Sequence, residues 1–171
     1  MEISIRQETE SDRHAVNSLV EEAFKTAEHS DGNEHILVAE LRDCDAFIPE
    51  LSLVATLGDE IVGHIMFTRL SIDNQAHLAL APLSVAPPWQ RKGIGGALIK
   101  EGHRRARELG YGFSVVLGDN GYYGRFGYTP ASTFGIKPLP GIEDKYYMAV
   151  ELNPTEIPGS GIVRYASPFG I

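Results

Sequence analysis

The chain has 171 residues, 43% hydrophobic and 22% charged, ordinary values for a soluble globular chain that leave no need for a second domain. A net charge of −8 and a single cysteine, Cys44, exclude a broadly basic nucleic-acid binder and any internal disulfide. No apolar run approaches membrane-spanning length, and Met1–Arg6 lacks the basic stretch and apolar core of a signal peptide, so the expectation is a cytoplasmic protein without membrane contact.

Ile3–Arg6 alternates as a short first strand. Thr9, with Asp12 three residues on, predicts a helix cap before Ala15, Val16, Leu19, Val20, Ala23 and Phe24 at helical spacing. Lys25–Asn33 is polar and reads as a loop; Asp31 with Glu34 then suits the start of a second helix, whose apolar face is Ile36, Leu37, Val38 and Leu41. Leu51–Leu57 and Ile61–Leu70 read as strands joined by the turn residues Gly58-Asp59-Glu60, and Asp73-Asn74-Gln75 leads into His77–Val85. These three segments predict an antiparallel meander.

The segment that follows is the most informative. Ala86-Pro87-Pro88-Trp89 makes a loop, Gln90-Arg91-Lys92-Gly93-Ile94-Gly95-Gly96 comes next, and Ile94, Leu98, Gly102, Ala106 and Leu109 continue at helical spacing. The first turn of a helix carries N–H groups without intrahelical partners and partial positive charge, and glycine lets an anion approach them. Leu98 stands where a dinucleotide fingerprint needs a third glycine or alanine, and a Gly-Lys-Ser/Thr P-loop is absent. Gln90–Arg107 holds Arg91, Lys92, Lys100, Arg104, Arg105 and Arg107 against Glu101 alone, a local +5 that leaves −13 for the rest of the chain. A local basic patch in an acidic protein suits a compact polyanion.

Gly110 stops that helix, Phe113–Leu117 is a short buried strand, and Gly118–Tyr128 is a second glycine- and aromatic-rich stretch. Tyr146–Leu152 reads as a strand, and residues 153–171, rich in glycine and proline, as an extended segment of the same single domain, 1–171. The element order predicts a mixed α/β (α+β) sheet flanked by helices. The histidines His14, His29, His35, His64, His77 and His103 show neither His-x-His nor His-Glu-x-x-His spacing, so no metal site is expected.

The pattern Gln/Arg-x-x-Gly-x-Gly/Ala at Gln90–Gly95, after a strand and opening a helix, resembles the GNAT superfamily of N-acetyltransferases; Tyr-x-x-x-Gly-Phe/Tyr at Tyr123–Tyr128 resembles it as well. The string Leu117–Tyr128 is similar to one bacterial branch of that superfamily, and the likeness runs from about Ile3 to Leu152. The resemblance implies a mostly antiparallel sheet splayed between its fourth and fifth strands, with acetyl-CoA as co-substrate and no metal. It implies that Gln90, Arg91, Lys92, Gly93, Ile94, Gly95 and Gly96 hold the diphosphate, and that Leu83, Ser84 and Val85 pair with the pantetheine arm, a backbone N–H around Leu83 polarising the thioester. It also implies that Asn120 bonds the pantetheine and that Tyr123 protonates the departing thiolate, with Tyr122 as the competing phenol; Arg125 faces either the phosphates or solvent. The general base is left open between Glu34, His64 and water.

The resulting expectation is acetyl transfer from acetyl-CoA to a primary amine of a small molecule or peptide by direct attack, with a cationic acceptor favoured by the surrounding acid; a homodimer is compatible with the resemblance. The alternative is a non-catalytic acyl-CoA sensor, which needs the loop around Gly93 but not Tyr123.

Overall fold

In the computed structural model, which describes residues 2–25, 27 and 30–171, the alternating and β-branched stretches form one eight-stranded mixed sheet with helices on both faces. The strands are β1 (Ser4–Gln7), β2 (Phe47–Leu57), β3 (Glu60–Ile72), β4 (Gln75–Val85), β5 (Phe113–Leu117), β6 (Thr129–Pro130), β7 (Tyr147–Glu151) and β8 (Val163–Arg164). The helices are α1 (Arg13–Phe24), α2 (Glu34–Arg42), α3 (Ile94–Glu108) and the single turn α4 (Asn120–Tyr123). Across the sheet the order is β1-β2-β3-β4-β5-β7-β6, with β8 pairing β3.

Two-residue turns set the meander. Gly58 takes φ +58°, and Asp73 and Asn74 take φ +51° and +68°, both central residues of the β3–β4 turn being left-handed as a tight hairpin requires. One face of the sheet buries Leu53, Ala55, Ile65 and Phe67 against Ile94, Leu98, Ile99 and Ala106 of α3. Gly102 lets the Phe67 ring sit against that helix. The other face buries Val54 and Met66 against Val16, Leu19 and Val20 of α1 and Val38 and Leu41 of α2.

The arrangement that positions the site lies in the middle of the sheet. β4 and β5 run parallel but pair only through Leu78 with Ser114 and Ala79 with Val115, so their C-terminal halves part. On its other side β4 pairs with β3, where Ile65 faces Leu83 and Phe67 faces Leu80; β4 spends one residue more than β3 between these pairs, a bulge that holds Pro82. Tyr128 ties β5 to α3. Its buried hydroxyl meets Ser114 Oγ of β5 at 2.8 Å and His103 Nε2 of α3 at 3.0 Å.

Several elements differ from the sequence reading for local reasons. Asn33, not Asp31, is the residue before α2: the Asp31 carboxylate accepts from Asn33 N–H at 2.8 Å, making a turn just upstream. Thr9 is followed by a short 3₁₀ turn before α1, and Asp12 accepts from Thr9 N–H at 2.7 Å and from the Arg6 guanidinium, which holds its carboxyl well below the usual carboxylate range. Leu109 stands 45% exposed, off the apolar face of α3, because the helix ends at Glu108. The tail is not merely extended: Asp73 accepts from the N–H groups of Gly159, Gly161 and Ile162, which brings Val163–Arg164 onto β3 as β8. The loop between α1 and α2 includes Thr26, Glu28 and His29, which lie outside the described residues.

Two buried histidines make the fold sensitive to acid. His64 and His103, 0% and 4% exposed, are each lowered to about 4 by burial, reinforced at His103 by Arg107. Between their unfolded value and about 4 the unfolded chain binds protons that the folded chain refuses. Their contribution is therefore complete above roughly pH 6.5 and falls as pH drops, by roughly 1.4 kcal/mol per pH unit for each imidazole at its steepest. Denaturant unfolding at pH 7, 6 and 5 is expected to show midpoints that fall progressively.

Candidate active site

The N-terminus of α3 opens onto the gap between β4 and β5. Trp89 ends a 3₁₀ turn (Pro87–Trp89), Arg91 takes φ +62° and Gly93 φ +85°, and the chain then enters the helix at Ile94. No Cβ would be obstructed at Gly93, so glycine is there for its backbone angle. Among the described residues no protein acceptor takes the N–H groups of Arg91, Lys92, Gly93, Ile94, Gly95 or Gly96; the first amide of the run to be used is Ala97, which donates to Gly93 O at 3.1 Å. Gln90 pins the loop to the strand by donating through Nε2 to Val85 O at 3.0 Å.

These amides face a cleft of about 630 Å³ lined by Leu83 and Val85 of β4, Trp89, Gln90, Arg91, Gly93, Ile94, Gly95, Gly96 and Lys100, and by Tyr122, Arg125 and Phe126 from the segment after β5. Gly95 and Gly96 are small for a second reason. A Cβ on Gly95 would stand 2.5 Å from Tyr122 Oη, and one on Gly96 2.9 Å from Phe126 Cζ. The aromatic segment therefore closes on the helix start, with the Arg125 guanidinium 4.8 Å from the Tyr122 ring centre.

The unpaired edge of β4 completes the cleft. Ala86 N–H donates to Val62 O at 2.8 Å, towards β3. Backbone groups of successive strand residues point to opposite edges, so the N–H groups of Leu83 and Val85 face the edge that β5 leaves free. Together the helix-start amides and this edge offer donors for an anionic group and for an extended chain, the two parts of a long phosphorylated ligand.

Not every candidate residue reaches the cleft wall. Leu83, Val85, Gln90, Arg91, Gly93, Ile94, Gly95 and Gly96 line it; Lys92 is exposed beside it, and Asn120 is exposed in the first turn of α4, which Asp119 caps by accepting from Gly121 N–H at 2.8 Å. Ser84 turns its side chain to the opposite face of the sheet, opposite His64 of β3. Glu34 opens α2 and accepts from Ser30 Oγ at 2.8 Å. Of the basic patch, Lys100 reaches the wall one helical turn after Gly96, while Trp89 and Phe126 join the lining without a site signal in the sequence, Phe126 showing only through the space Gly96 leaves. Of the basic side chains on α3, Arg104 and Arg105 are taken up by Glu101, and Arg104 also by Glu108, so the local positive charge at the cleft comes from Arg91, Lys100 and Arg125.

Tyr122 and Tyr123 stand edge to face with ring centres 5.0 Å apart. Tyr122 looks into the cleft, and Tyr123 packs behind it against Gly118 at the end of β5, where a Cβ would stand 2.7 Å from its ring. The Tyr123 hydroxyl makes no protein hydrogen bond among the described residues and is not sealed from solvent. Burial pushes both phenols up, Tyr123 far above the ordinary tyrosine value, so each stays protonated at neutral pH.

Behind β4 the other face of the sheet carries a buried polar chain. Arg42 Nη2 and Glu8 Oε2 are 2.6 Å apart with both side chains almost fully buried, Ser52 Oγ donates to Glu8 Oε1 at 3.0 Å, and His64 Nε2 lies 3.0 Å from Ser52 Oγ. His64 Nδ1 and Ser84 Oγ are buried and have no partner among the described residues.

Comparison with known proteins agrees with this geometry. The sequence pattern describing the "Acetyltransferase (GNAT) family" matches residues 13–128, well over half of the chain. The uncharacterized N-acetyltransferase YjhQ of Escherichia coli K12 is 33% identical over 168 residues, covering 92% of this chain and 89% of its own, and YhbS of the same organism is 29% identical over 169 residues, covering 96% and 97%. A GNAT family acetyltransferase from Brucella melitensis, solved in complex with acetyl-CoA, superposes with a TM-score of 0.81 at 32% identity over 98% of both chains. Escherichia coli YhbS in complex with CoA superposes with a TM-score of 0.87 at 26% identity, over 99% of this chain and 92% of that one.

Proposed function

The chain belongs to the GNAT family of N-acetyltransferases, and from that premise we propose that its cleft takes acetyl-CoA diphosphate-first, with the acetyl group carried to the gap between β4 and β5. The observation that carries this reading is the run of unclaimed amides from Arg91 to Gly96 beside a free strand edge. Arg91, Lys100 and Arg125 add full charges where the phosphates would lie. The pantetheine arm runs along β4 as an added strand, and the Leu83 N–H donates to the thioester oxygen as it gains charge.

Chemistry then needs a neutral amine at the carbonyl carbon and a proton for the sulfur. The amine attacks directly, the C–S bond breaks with its electron pair on sulfur, and the Tyr123 hydroxyl supplies the proton. Tyr123 suits the task because its hydroxyl is free and its phenol stays protonated at neutral pH. Tyr122, nearer the helix start, orders Arg125 over the phosphates. Outside Gln90–Arg107 the chain carries −13, a field that favours a cationic acceptor and weakens with salt. The reading places the protein in the cytoplasm, where acetyl-CoA is supplied and Cys44 stays a thiol.

Incubating the protein with acetyl-CoA and a panel of polyamines, aminoglycosides and lysine peptides tests the reading by release of free thiol. Amine-dependent release is expected, strongest with multiply charged acceptors and reduced by salt. Binding of CoA without release for any amine would favour the sensor reading instead.

A further inference from the structure

We infer that Lys100 and Arg125 together hold a phosphate monoester, the 3′-phosphate of CoA, and so make the protein select CoA over its 3′-dephospho form. The inference rests on the acetyl-CoA reading above and divides the phosphate groups among the cations of the cleft.

The donors of the cleft fall into two separate sets. The amides of Arg91 to Gly96 belong to the loop and first turn of α3, and the Arg91 side chain leaves the same loop. Lys100 stands one helical turn beyond Gly96 on the same face, about 6 Å along the axis. Arg125 comes from the opposite wall, in the 3₁₀ turn (Gly124–Phe126) that follows α4. Phe126 Cζ lies 2.9 Å from where a Cβ on Gly96 would stand, and the Arg125 guanidinium lies 5.5 Å from the centre of the Phe126 ring. Both cations therefore flank that one ring.

The fold explains neither charge. No acid stands three or four residues from Lys100 or from Arg125, and among the described residues no acid lines the cleft. Arg104 and Arg105, on the same helix as Lys100, are paired with Glu101, and Arg104 with Glu108 as well; among the described residues Lys100 and Arg125 have no such partner. Both are exposed, so nothing in the core holds them there. The Arg125 guanidinium lies over the Tyr122 ring at 4.8 Å, which steadies its plane and leaves its N–H groups for a ligand. Two like charges brought to one ring repel, and an anion between them turns that repulsion into attraction.

The charges suit a monoester. Each phosphoryl group of a diphosphate within a chain carries one negative charge, which the helix-start amides and Arg91 meet. A terminal phosphate monoester carries about −1.5 to −2 at neutral pH, and two monocations balance it. In CoA a ribose ring separates this group from the diphosphate, and the turn of helix between Gly96 and Lys100 supplies a matching offset between the two sets of donors.

The test is calorimetric titration of wild type, Lys100→Gln and Arg125→Gln with CoA and with 3′-dephospho-CoA, beside a thermal melt of each. Wild type is expected to bind CoA at least about ten-fold more tightly than 3′-dephospho-CoA, a comparison that needs no variant. Each variant is expected to lose about ten-fold for CoA while binding 3′-dephospho-CoA within about two-fold of wild type, so that the preference shrinks. Equal losses for the two ligands would assign both cations to the diphosphate and overturn this inference, as would a wild type that binds the two ligands equally; the acetyl-CoA reading survives either result. A wild type that binds neither ligand overturns that reading and this inference with it.

Discussion

Gly95→Val is expected to abolish measurable CoA binding, a loss on the order of 1000-fold or more, while the chain stays folded. The Cβ alone would stand 2.5 Å from Tyr122 Oη, and the two added methyl groups project over the amides of Arg91 to Gly96. Tyr122 Oη is the far end of a side chain that lines the cleft, so where it yields it takes up cleft space, and the room for a diphosphate is lost twice over. Nothing in the fold depends on the missing side chain: Gly95 has ordinary helical geometry, and replacing glycine within a helix does not lower its propensity. Calorimetric titration with CoA, beside a thermal melt, separates the two effects. Loss of binding with a melting temperature within a few degrees of wild type is the expected pair.

Tyr123→Phe carries the second large effect. Removing the hydroxyl leaves the thiolate to depart without a positioned proton, and kcat is expected to fall by about 1000-fold. The ring remains to pack on Gly118, Tyr122 and Tyr128, so CoA affinity and stability stay near wild type. Steady-state kinetics with the best amine, run for Tyr122→Phe alongside, checks this. A large loss of kcat in Tyr122→Phe with Tyr123→Phe unaffected would move the acid to the neighbouring phenol. Retained kcat in both would remove a tyrosine acid from the mechanism.

The parts of this molecule that were legible in the sequence are those built by local chemistry. The helix start at Gly93 is readable because a left-handed glycine, a first turn of free amides and basic neighbours are all consecutive. The meander is readable because Gly58-Asp59 and Asp73-Asn74 are turn residues at hairpin spacing. What escaped is what the chain assembles from a distance. The anchoring of the tail by Asp73 spans more than 80 residues, and β8 has only two residues to announce it. The strand beside β7 is only Thr129–Pro130, whose proline could not supply a longer ladder, so nothing in the sequence announces it. The buried chain from Arg42 through Glu8 and Ser52 to His64 joins α2, the segment after β1, β2 and β3, and no spacing rule links those positions. The pairing that sets His64 opposite Ser84 is likewise a matter of strand register that no local spacing announces.

The whole account depends on the backbone between β4 and α3 being the part of the protein that holds the diphosphate. Titrating CoA into ¹⁵N-labelled protein and following the backbone amide resonances tests this most directly. The account predicts that the amides of Arg91 to Gly96 move most, with Leu83 and Val85 moving as the pantetheine arm settles on the strand edge. Saturating CoA that leaves those resonances in place while others shift would contradict it.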